Sequence, residues 1–399
     1  MKILLLNHNV KGEGTYIRCF NFAKHLVRFG HSVVILTSSP NLIIKPKKEL
    51  IDGVEVISFP DLIGRRFRNG GLGPIDTILR CLFVLKRRFD IVENFDHRPV
   101  VLYPALVSKY MRKTPLVSEW TDLHGTGGSL SRRRFIVQSL IRPYEDFTEI
   151  WSKKFPELLI TISSGLKEKA LSLGIPDEKI VQISGGADVE RITPFNKGEA
   201  RAIFNLPLKA RIVAYTAGTH YDFELLLNSI NKIQECRKDV YFVTTGAKLS
   251  DELKHKFYDW ERVIELGFLP YNKYAKFLPS ADVFLFAFSN TQLNLGRWPN
   301  KIGDYMAAGR PTVSNFTGDL IHLFDKYQIG LLASENPNDI ANKTLRLLED
   351  QSLASDIGKK ARYAAEQFFD WKFLAKRLEA CFVKVIGEYD KNDGKTTFN

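Results

Sequence analysis

The chain is poor in sulfur. It has four cysteines and three methionines in 399 residues. The cysteines lie far apart with no repeated spacing, at Cys19, Cys81, Cys236 and Cys381. This pattern argues against a disulfide scaffold or a zinc site. Unpaired cysteines are typical of a reducing compartment, so we expect a cytoplasmic protein.

Long apolar runs are also missing. No run approaches the ~18 residues that a membrane-spanning helix needs. The first apolar segment, 1–6, passes directly into polar residues at 7–9 and is too short for the core of a secretory signal. We therefore expect neither a spanning helix nor a secretory leader.

Acidic residues are outnumbered, with 45 Asp and Glu against 57 Lys and Arg, a net charge of +12. No helix-turn-helix, zinc finger or aromatic RNA platform accompanies the excess, so we expect no nucleic-acid partner. The cations come in bursts at 45–48, 65–68, 86–88 and 132–134. Apolar neighbours such as Leu62 and Phe67 favour contact with an anionic membrane surface. A solvated basic face is the alternative.

Two α/β domains are predicted from length and alternation. A chain of 399 residues exceeds one ordinary core. Short apolar strands alternate with helical patterns through residues 1–185, and the alternation starts again at 212. Such alternation is typical of parallel, doubly wound sheets, here with a linker within 187–207.

A glycine loop follows the first predicted strand. Gly12 and Gly14 stand between that strand and an amphipathic helix over 15–29, which is a βαβ arrangement. Ile17 occupies the place of a third glycine, so the dinucleotide-binding fingerprint is only partial. A loop of this kind binds a phosphate through backbone N–H groups, and an ordinary tight turn is the alternative.

A second polar loop, 119–128, follows the strand predicted at 115–118. It holds Glu119, Asp122 and His124 among three glycines. Histidine suits proton transfer near neutral pH, and a neighbouring acid can orient it. His97, one loop earlier, is a weaker candidate. A structural histidine remains the alternative for both.

The segment 281–319 carries the clearest chemistry. A strand over 283–288 leads to a helix that begins at Pro299 and ends at Gly309. Lys301 and Asp304 share one face of that helix, close to its N-terminus and just past a strand end. Such a place favours an anion, so the lysine suits a phosphate and the acid suits sugar hydroxyls. The alternative is an ordinary exposed ion pair.

The sequence of this segment resembles a known family. Residues 299–313, PNKIGDYMAAGRPTV, resemble the P-x-K-x-x-E-Y-M-A-x-G-x-P-V-V motif of the family 4 retaining glycosyltransferases. The strand entry at 29–34 and the stretch 184–195 also resemble that family, so the likeness extends over nearly the whole chain.

This resemblance implies a fold and a reaction. The fold is GT-B, two Rossmann-like doubly wound domains facing a central cleft, with the C-terminal helix crossing back to the N-terminal domain. The expected boundaries are 1–187, 188–368 and 369–390. The reaction is retaining transfer of a hexosyl group from a nucleoside diphosphate sugar to a glycan or lipid-linked acceptor, as in cell-surface polysaccharide synthesis. A peripheral position on the inner face of a membrane is left open.

The resemblance also implies site residues. Asp304 contacts the donor ribose, while Glu119, Asp122 and His124 are acceptor-side catalytic candidates. No Asp-x-Asp pair follows a strand, so neither a metal nor a cofactor is expected. The groups facing the donor diphosphate are Lys301, Arg297, Gly12, Gly14, Gly218 and Thr219.

One departure leaves alternatives open. The first acid of the family's paired-glutamate signature falls on Gly296, which has no side chain. A non-catalytic nucleotide-sugar-binding partner subunit is therefore one alternative, and a sugar-nucleotide epimerase of the same architecture is another. A dehydrogenase is disfavoured because the Gly12 loop lacks its third glycine.

Overall fold

The computed structural model describes residues 1–132, 135–218 and 222–392. The chain forms two compact units, which we describe separately. The first comprises Met1–Ser184, Gly296–Trp298 and the C-terminal segment from Trp371, and the second comprises Gly185–Leu295 and Pro299–Asp370.

The strands and α-helices alternate along both units. The strands are β1 Lys2–Val10, β2 Ser32–Ser38, β3 Lys47–Ile51, β4 Val54–Phe59, β5 Ile91–Phe95, β6 Leu116–Trp120, β7 Leu158–Thr161, β8 Ile180–Gln182, β9 Arg211–Ala217, β10 Val240–Gly246, β11 Val263–Glu265, β12 Val283–Leu285, β13 Thr312–Asn315 and β14 Gly330–Ala333. The helices are α1 Thr15–Arg28, α2 Arg65–Asn69, α3 Pro74–Lys86, α4 Pro99–Arg112, α5 Phe135–Ser152, α6 Ser164–Ser172, α7 Lys197–Ile203, α8 Phe223–Cys236, α9 Asp251–Lys254, α10 Tyr271–Phe277, α11 Gln292–Leu295, α12 Asn300–Ala307, α13 Asp319–Tyr327, α14 Pro337–Glu349, α15 Gln351–Ala364 and α16 Trp371–Asn392.

The sheet of the first unit is almost entirely parallel. Its strand order is β3-β4-β2-β1-β5-β6-β7-β8, and β3 runs antiparallel to β4. The order reverses between β1 and β5, so the carboxyl ends of these two strands mark the switch point where ligands bind in open α/β sheets. Residues 3–6 of β1 are completely buried, as a strand covered on both faces requires.

Helices cover both faces of this sheet. One face packs against α1 and α16, where Phe22 and Trp371 meet edge to face with ring centroids 5.3 Å apart. Leu374, Leu378 and other apolar residues of α16 join the same core. The C-terminal helix is thus a structural part of the first unit, because its apolar stripe is buried against α1 and the sheet.

The second unit is a separate parallel sheet of order β11-β10-β9-β12-β13-β14. Its switch point lies between β9 and β12, and α12 begins on the carboxyl side of β12. Tyr305 of α12 stacks on Phe284 of β12 with a centroid separation of 3.8 Å. This stack fixes the roll of α12, and with it the direction of the helix's polar side chains.

The structure agrees with the predicted end of the helix at Gly309 and the predicted helix start at Ser163, but it differs in the length of one strand. Gly309 has φ +66°, the left-handed conformation that ends α12, and the Ser163 hydroxyl accepts from the Leu166 N–H at the start of α6. The strand predicted over 283–288 is shorter, Val283–Leu285. The edge strand β3 was not predicted, because it begins with exposed lysines, Lys47 and Lys48, of the kind that protect a sheet edge.

Candidate functional site

Lys301 and Asp304 lie together at the start of α12, joined through a tyrosine of α10. The Tyr274 hydroxyl donates to Asp304 Oδ2 at 2.8 Å. Lys301 Nζ lies 4.8 Å from the centroid of the Tyr274 ring and 4.0 Å from Asp304 Oδ2. The lysine side chain keeps 38% of its surface exposed, so its charge remains accessible to an anion.

A hydroxyl chain connects this pair to the end of β9. Tyr305 Oη accepts from the Thr216 N–H at 3.1 Å and lies 2.8 Å from Thr216 Oγ1. Thr216 Oγ1 is in turn 3.4 Å from Tyr274 Oη. The carboxyl end of β9 and the beginning of α12 are therefore joined by a chain of polar groups that includes the buried Thr216 and Tyr305. Neither Tyr274 nor Tyr305 was recognised as part of it from sequence, although Tyr305 lies next to Asp304 in the matching motif.

Burial changes the pKa of Asp304, the acid of this group. Desolvation raises the pKa of Asp304, while Lys301 and the Tyr274 hydroxyl oppose the shift. Desolvation and the Asp304 carboxylate likewise raise the pKa of Tyr274. Tyr274 is thus a permanent donor to Asp304, which leaves Asp304 Oδ1 available to accept from a ligand hydroxyl.

The other loop of the second unit is described only in part. Gly218 is exposed and follows β9 directly, and a Cβ there would meet no heavy atom within 4 Å. Thr219, the second residue predicted in this loop, lies outside the described residues. The backbone of Gly218 is therefore open at the carboxyl end of the strand that also carries Thr216.

The glycine loop belongs to the first unit. Gly12 and Gly14 have φ of +90° and +55°, and a Cβ at Gly14 would collide with the Asn9 side chain. Asn9 Oδ1 accepts from the Thr15 N–H at 2.7 Å and so holds the first turn of α1. Both glycines are required by backbone geometry. This explains the loop without a ligand, and Gly12 and Gly14 remain predicted phosphate contacts.

A buried polar cluster lies at the carboxyl ends of β1, β5 and β6. Asp96 is at its centre, with φ +65°, and its carboxylate accepts from the Thr121 N–H at 2.9 Å and from the Thr121 hydroxyl at 2.6 Å. His8 Nδ1 and His124 Nε2 each lie 3.7 Å from Asp96 Oδ2. Although burial opposes it, the two histidines hold the pKa of Asp96 well below its usual range.

The contacts of His124 indicate its tautomer. Arg98 Nη2 lies 2.9 Å from His124 Nδ1. A guanidinium can only donate, so Nδ1 accepts and the ring proton of neutral His124 is on Nε2, toward Asp96. Nδ1 of this predicted catalytic residue is thus engaged by Arg98, whereas Nε2 lies 3.7 Å from Asp96 Oδ2 and has no hydrogen-bond partner within the described residues. Asp96 and Arg98 were missed from sequence, although both lie in the 95–99 stretch beside His97.

Two glutamates of α5, Glu145 and Glu149, complete the cluster, and Glu149 accepts from the backbone N–H groups of His124 and Gly125. Glu145 pairs with Arg98 and lies 3.3 Å from His97 Nε2. Burial alone would raise the pKa of Glu145, but His97 and Arg98 lower it to about 2. Desolvation lowers the pKa of His97 to about 4, so at neutral pH this imidazole is uncharged. His97 is held inside the protein rather than presented to a ligand.

Asp122 is paired with Arg297. The distance from Arg297 Nε to Asp122 Oδ1 is 3.3 Å. The short stretch 296–298 belongs to the first unit, where the Ser163 hydroxyl donates to the Gly296 carbonyl at 2.8 Å. The sequence had grouped Arg297 with Lys301 and Asp122 with His124. The structure instead brings Arg297 and Asp122 together and assigns Lys301 to the other unit.

Glu119 is an interior residue. Arg18 grips it with two parallel bonds, Nε to Oε2 at 2.9 Å and Nη2 to Oε1 at 2.8 Å. The remaining Arg18 donors reach the carbonyls of Ile183 and Ser184. Both Glu119 oxygens accept hydrogen bonds from Arg18 and the side chain is buried. The pair therefore links α1 to β6 in the interior of the first unit. The acceptor-side role expected for Glu119 stays a prediction.

Two absences apply to the described residues. Among them, no group of three or more His, Cys, Asp or Glu side chains is arranged to hold a metal ion. Within the same ranges, no helix is both long enough and apolar enough to cross a membrane.

Family models match both parts of the chain. Residues 13–191 match the model described as Glycosyltransferase Family 4, and residues 211–350 match Glycosyl transferases group 1. The chain belongs to glycosyltransferase family 4. A putative glycosyltransferase, YtcC of Bacillus subtilis, is 26% identical to this family 4 glycosyltransferase over 367 residues, which covers 87% of this chain and 82% of YtcC.

Solved structures agree on the fold. Sucrose-phosphate synthase from Thermosynechococcus elongatus superposes with a TM-score of 0.76 at 17% identity, covering 97% of this chain and all of that one. HepE from Anabaena, solved with UDP and glucose, gives 0.71 at 17% identity over 96% and 99% of the two chains. WaaG, a glycosyltransferase involved in lipopolysaccharide biosynthesis, gives 0.69 at 12% identity over 95% and 99%. The predicted GT-B fold is confirmed.

Proposed function

We propose that this glycosyltransferase is a retaining hexosyltransferase that uses a nucleoside diphosphate sugar. The observation that carries the proposal is the arrangement of Lys301, Tyr274 and Asp304 at the start of α12. A half-exposed cation beside a helix N-terminus suits the diphosphate, and a carboxylate one turn later suits the ribose hydroxyls. Nucleotide binding by HepE, a protein of the same fold, supports the choice of donor.

The chemistry follows from the donor. The acceptor hydroxyl oxygen forms a bond to the anomeric carbon while the bond from that carbon to the diphosphate oxygen breaks. The hydroxyl proton passes to the departing phosphate oxygen, on the same face of the sugar, so the anomeric configuration is retained. The developing charge is on the diphosphate, and Lys301 stabilises it electrostatically.

The proposal includes independence from divalent metal. Lys301 and the N-terminus of α12 together supply positive potential to the diphosphate. Transfer should therefore persist in excess EDTA. Loss of transfer in EDTA, restored by Mg²⁺ or Mn²⁺, would contradict this part of the proposal.

We propose a glycan or lipid-linked acceptor, as used in cell-surface polysaccharide synthesis. The similarity in fold to WaaG, which is involved in lipopolysaccharide biosynthesis, supports an acceptor of this class. The net charge of +12 favours an acceptor presented at an anionic surface.

A panel of nucleotide sugars tests the function. The donor should raise the melting temperature of the protein. With that donor and a membrane-lipid extract, labelled sugar should appear in a product whose anomeric configuration, read by NMR, matches the donor. An inverted product would contradict the retaining mechanism, and an isomerised free donor would indicate an epimerase instead.

A second candidate rests on Gly296. This position lacks the side chain that the family's first acid supplies, and its carbonyl is occupied by Ser163. A nucleotide-sugar-binding partner subunit without its own turnover fits that observation. Donor binding with no transfer to any extract fraction would favour this candidate, whereas turnover by the purified chain would exclude it.

A further inference from the structure

Two helices of the first unit present an apolar, mostly aromatic surface to solvent. Leu140 and Phe147 keep 77% and 60% of their surface exposed. We call this surface the aromatic face, and it consists of Tyr103, Tyr110 and Met111 of α4 with Leu140, Tyr144, Phe147 and Trp151 of α5. The α5 members recur at helical spacing of three or four residues, so they form one stripe.

The two helices contribute to a continuous surface. The hydroxyls of Tyr103 and Tyr144 are 3.4 Å apart, which joins α4 to α5 at one end. At the other end Phe155 contacts both helices, with ring centroids 4.1 Å from Trp151 and 6.4 Å from Tyr110. Contiguous exposed apolar patches of this kind mark interaction sites rather than ordinary surface.

The exposed charges beside the aromatic face are positive, and Glu157, two residues beyond Phe155, is paired with Lys109 of α4. Arg142, Lys113 and Lys154 are exposed at its edges. The acids of α5 face elsewhere, since Glu145 and Glu149 are buried and Asp146 accepts from the N–H and hydroxyl of Thr126. Helix α4 contains no acid. The outward surface of the pair is therefore apolar and cationic.

We propose that the aromatic face seats the first unit on an anionic lipid bilayer. Tyrosine and tryptophan prefer the interfacial region of a membrane, where the ring is buried and the polar tip stays hydrated. Flanking cations add attraction to anionic headgroups. A two-fold contact between copies of this chain would bring the cationic edges against each other, so a bilayer is the better occupant.

The position of α5 connects this surface to the polar cluster. Its outward side carries Tyr144 and Phe147, while its inward side carries Glu145 and Glu149, which bond to Arg98 and to the backbone of His124. A lipid-linked acceptor held in the membrane would thus have its polar end beside that cluster. This connection rests on the proposed acceptor class, whereas the membrane contact itself does not.

The basic burst at 65–68, which the sequence favoured for membrane contact, is less suitable. Arg68 is buried and donates to the carbonyl oxygens of Ser39 and Asn41. Arg65 pairs with Glu13. Burial keeps Arg68 away from headgroups and Glu13 offsets the charge of Arg65, and α2 spans only Arg65–Asn69.

Vesicle flotation of the full chain tests the proposal without donor or acceptor. Wild type should float with vesicles of phosphatidylcholine and phosphatidylglycerol, and less with phosphatidylcholine alone or in high salt. Leu140→Glu combined with Phe147→Glu should lower the partition coefficient by about tenfold or more. The matched control is Phe268→Glu with Val383→Glu, which places the same charge at exposed apolar positions elsewhere and should float as wild type does. Phe147→Trp should also retain binding.

Three outcomes would overturn the proposal. The wild-type chain does not float with anionic vesicles, or the aromatic-face double variant floats as well as wild type. In the third, sedimentation velocity shows a dimer that the double variant dissociates while neither protein floats, which would make the face a contact between copies. Transfer to a short soluble acceptor should survive the double variant, so loss of vesicle binding and failure of the transferase proposal are distinguishable.

Discussion

Arg297 Nε lies 3.3 Å from Asp122 Oδ1, so a residue predicted to face the donor is paired with one predicted to face the acceptor. Desolvation raises the pKa of Asp122, although 40% of its side-chain surface is exposed, and the Arg297 guanidinium is the largest influence that opposes the rise. The ionised form of Asp122 is thus favoured by a loop residue 175 positions away in sequence.

Replacing Arg297 should shift the pH dependence of transfer. In Arg297→Met the pKa of Asp122 rises further, because its cationic partner is gone. If Asp122 acts as the carboxylate, the acidic limb of the kcat/KM profile moves to higher pH. Arg346→Met, which removes an exposed arginine of the second unit, serves as the control. An acidic limb at the same pH in Arg297→Met and wild type would remove Asp122 from the reaction.

Lys301→Ala should weaken donor or transition-state binding by ~1.5–3 kcal/mol, the range for hydrogen bonds to charged groups. That corresponds to roughly a ten- to hundredfold loss in kcat/KM. Calorimetric titration with the donor separates ground-state binding from an effect on kcat. Lys276→Ala, at an exposed lysine on α10, should behave as wild type. Unchanged kinetics in a folded Lys301→Ala protein would place Lys301 outside the site.

Asp304→Asn should weaken donor binding without lowering the melting temperature at neutral pH. The asparagine oxygen can still accept from the Tyr274 hydroxyl, but it no longer offers a negative charge to the ribose hydroxyls. Since the pKa of Asp304 is raised by burial, its ionised form does not stabilise the fold. Thermal denaturation and donor titration of the same sample check both statements. A lower melting temperature with normal donor affinity would mark Asp304 as structural.

Glu93→Gln should stabilise the protein, increasingly so as pH rises. Glu93 is fully buried beside Glu119, and neither of its oxygens has a hydrogen-bond partner in the described residues. Desolvation and Glu119 raise its pKa well above the usual value. Above the pKa of the unfolded chain, the folded state must bind a proton that the unfolded state has released, so stability falls as pH rises.

The gain in the free energy of unfolding should grow by up to ~1.4 kcal/mol per pH unit until the folded pKa is reached. Calorimetric melting of Glu93→Gln and wild type at about pH 5 and pH 8 measures it. The exposed Glu168→Gln is the control. A pH-independent difference between Glu93→Gln and wild type would mean that Glu93 is ionised in the folded protein.

Much of the fold could be predicted because its signals are local. Glycine at a positive φ, as at Gly309, and a hydroxyl cap, as at Ser163, act within a few residues of their own position. The alternation of buried strands and amphipathic helices is local in the same sense, and it indicated parallel sheets. Edge strand β3 could not be predicted, because its charged residues show none of the apolar periodicity that indicates a strand.

The pairing of site residues could not be predicted in the same way. Lys301 and Asp304 are neighbours on one helix, so their proximity follows from spacing. Tyr274, Asp96 and Arg98 join their partners from other elements, and nothing in their own stretches specifies a partner. Glu119 looked like a loop acid, but the strand extends to Trp120 and turns the side chain toward Arg18.

The amino-acid order by itself determined the family, the doubly wound architecture and the cation and carboxylate of α12, since these depend on periodicity and on residues a few positions apart. Only the tertiary structure decided that Arg297 meets Asp122, that Glu119 is buried in the interior of the first unit, and that the stripe on α5 joins α4 in one exposed surface. Those outcomes depend on which elements pack together, and packing is set by the shape of the whole core rather than by any single stretch of chain.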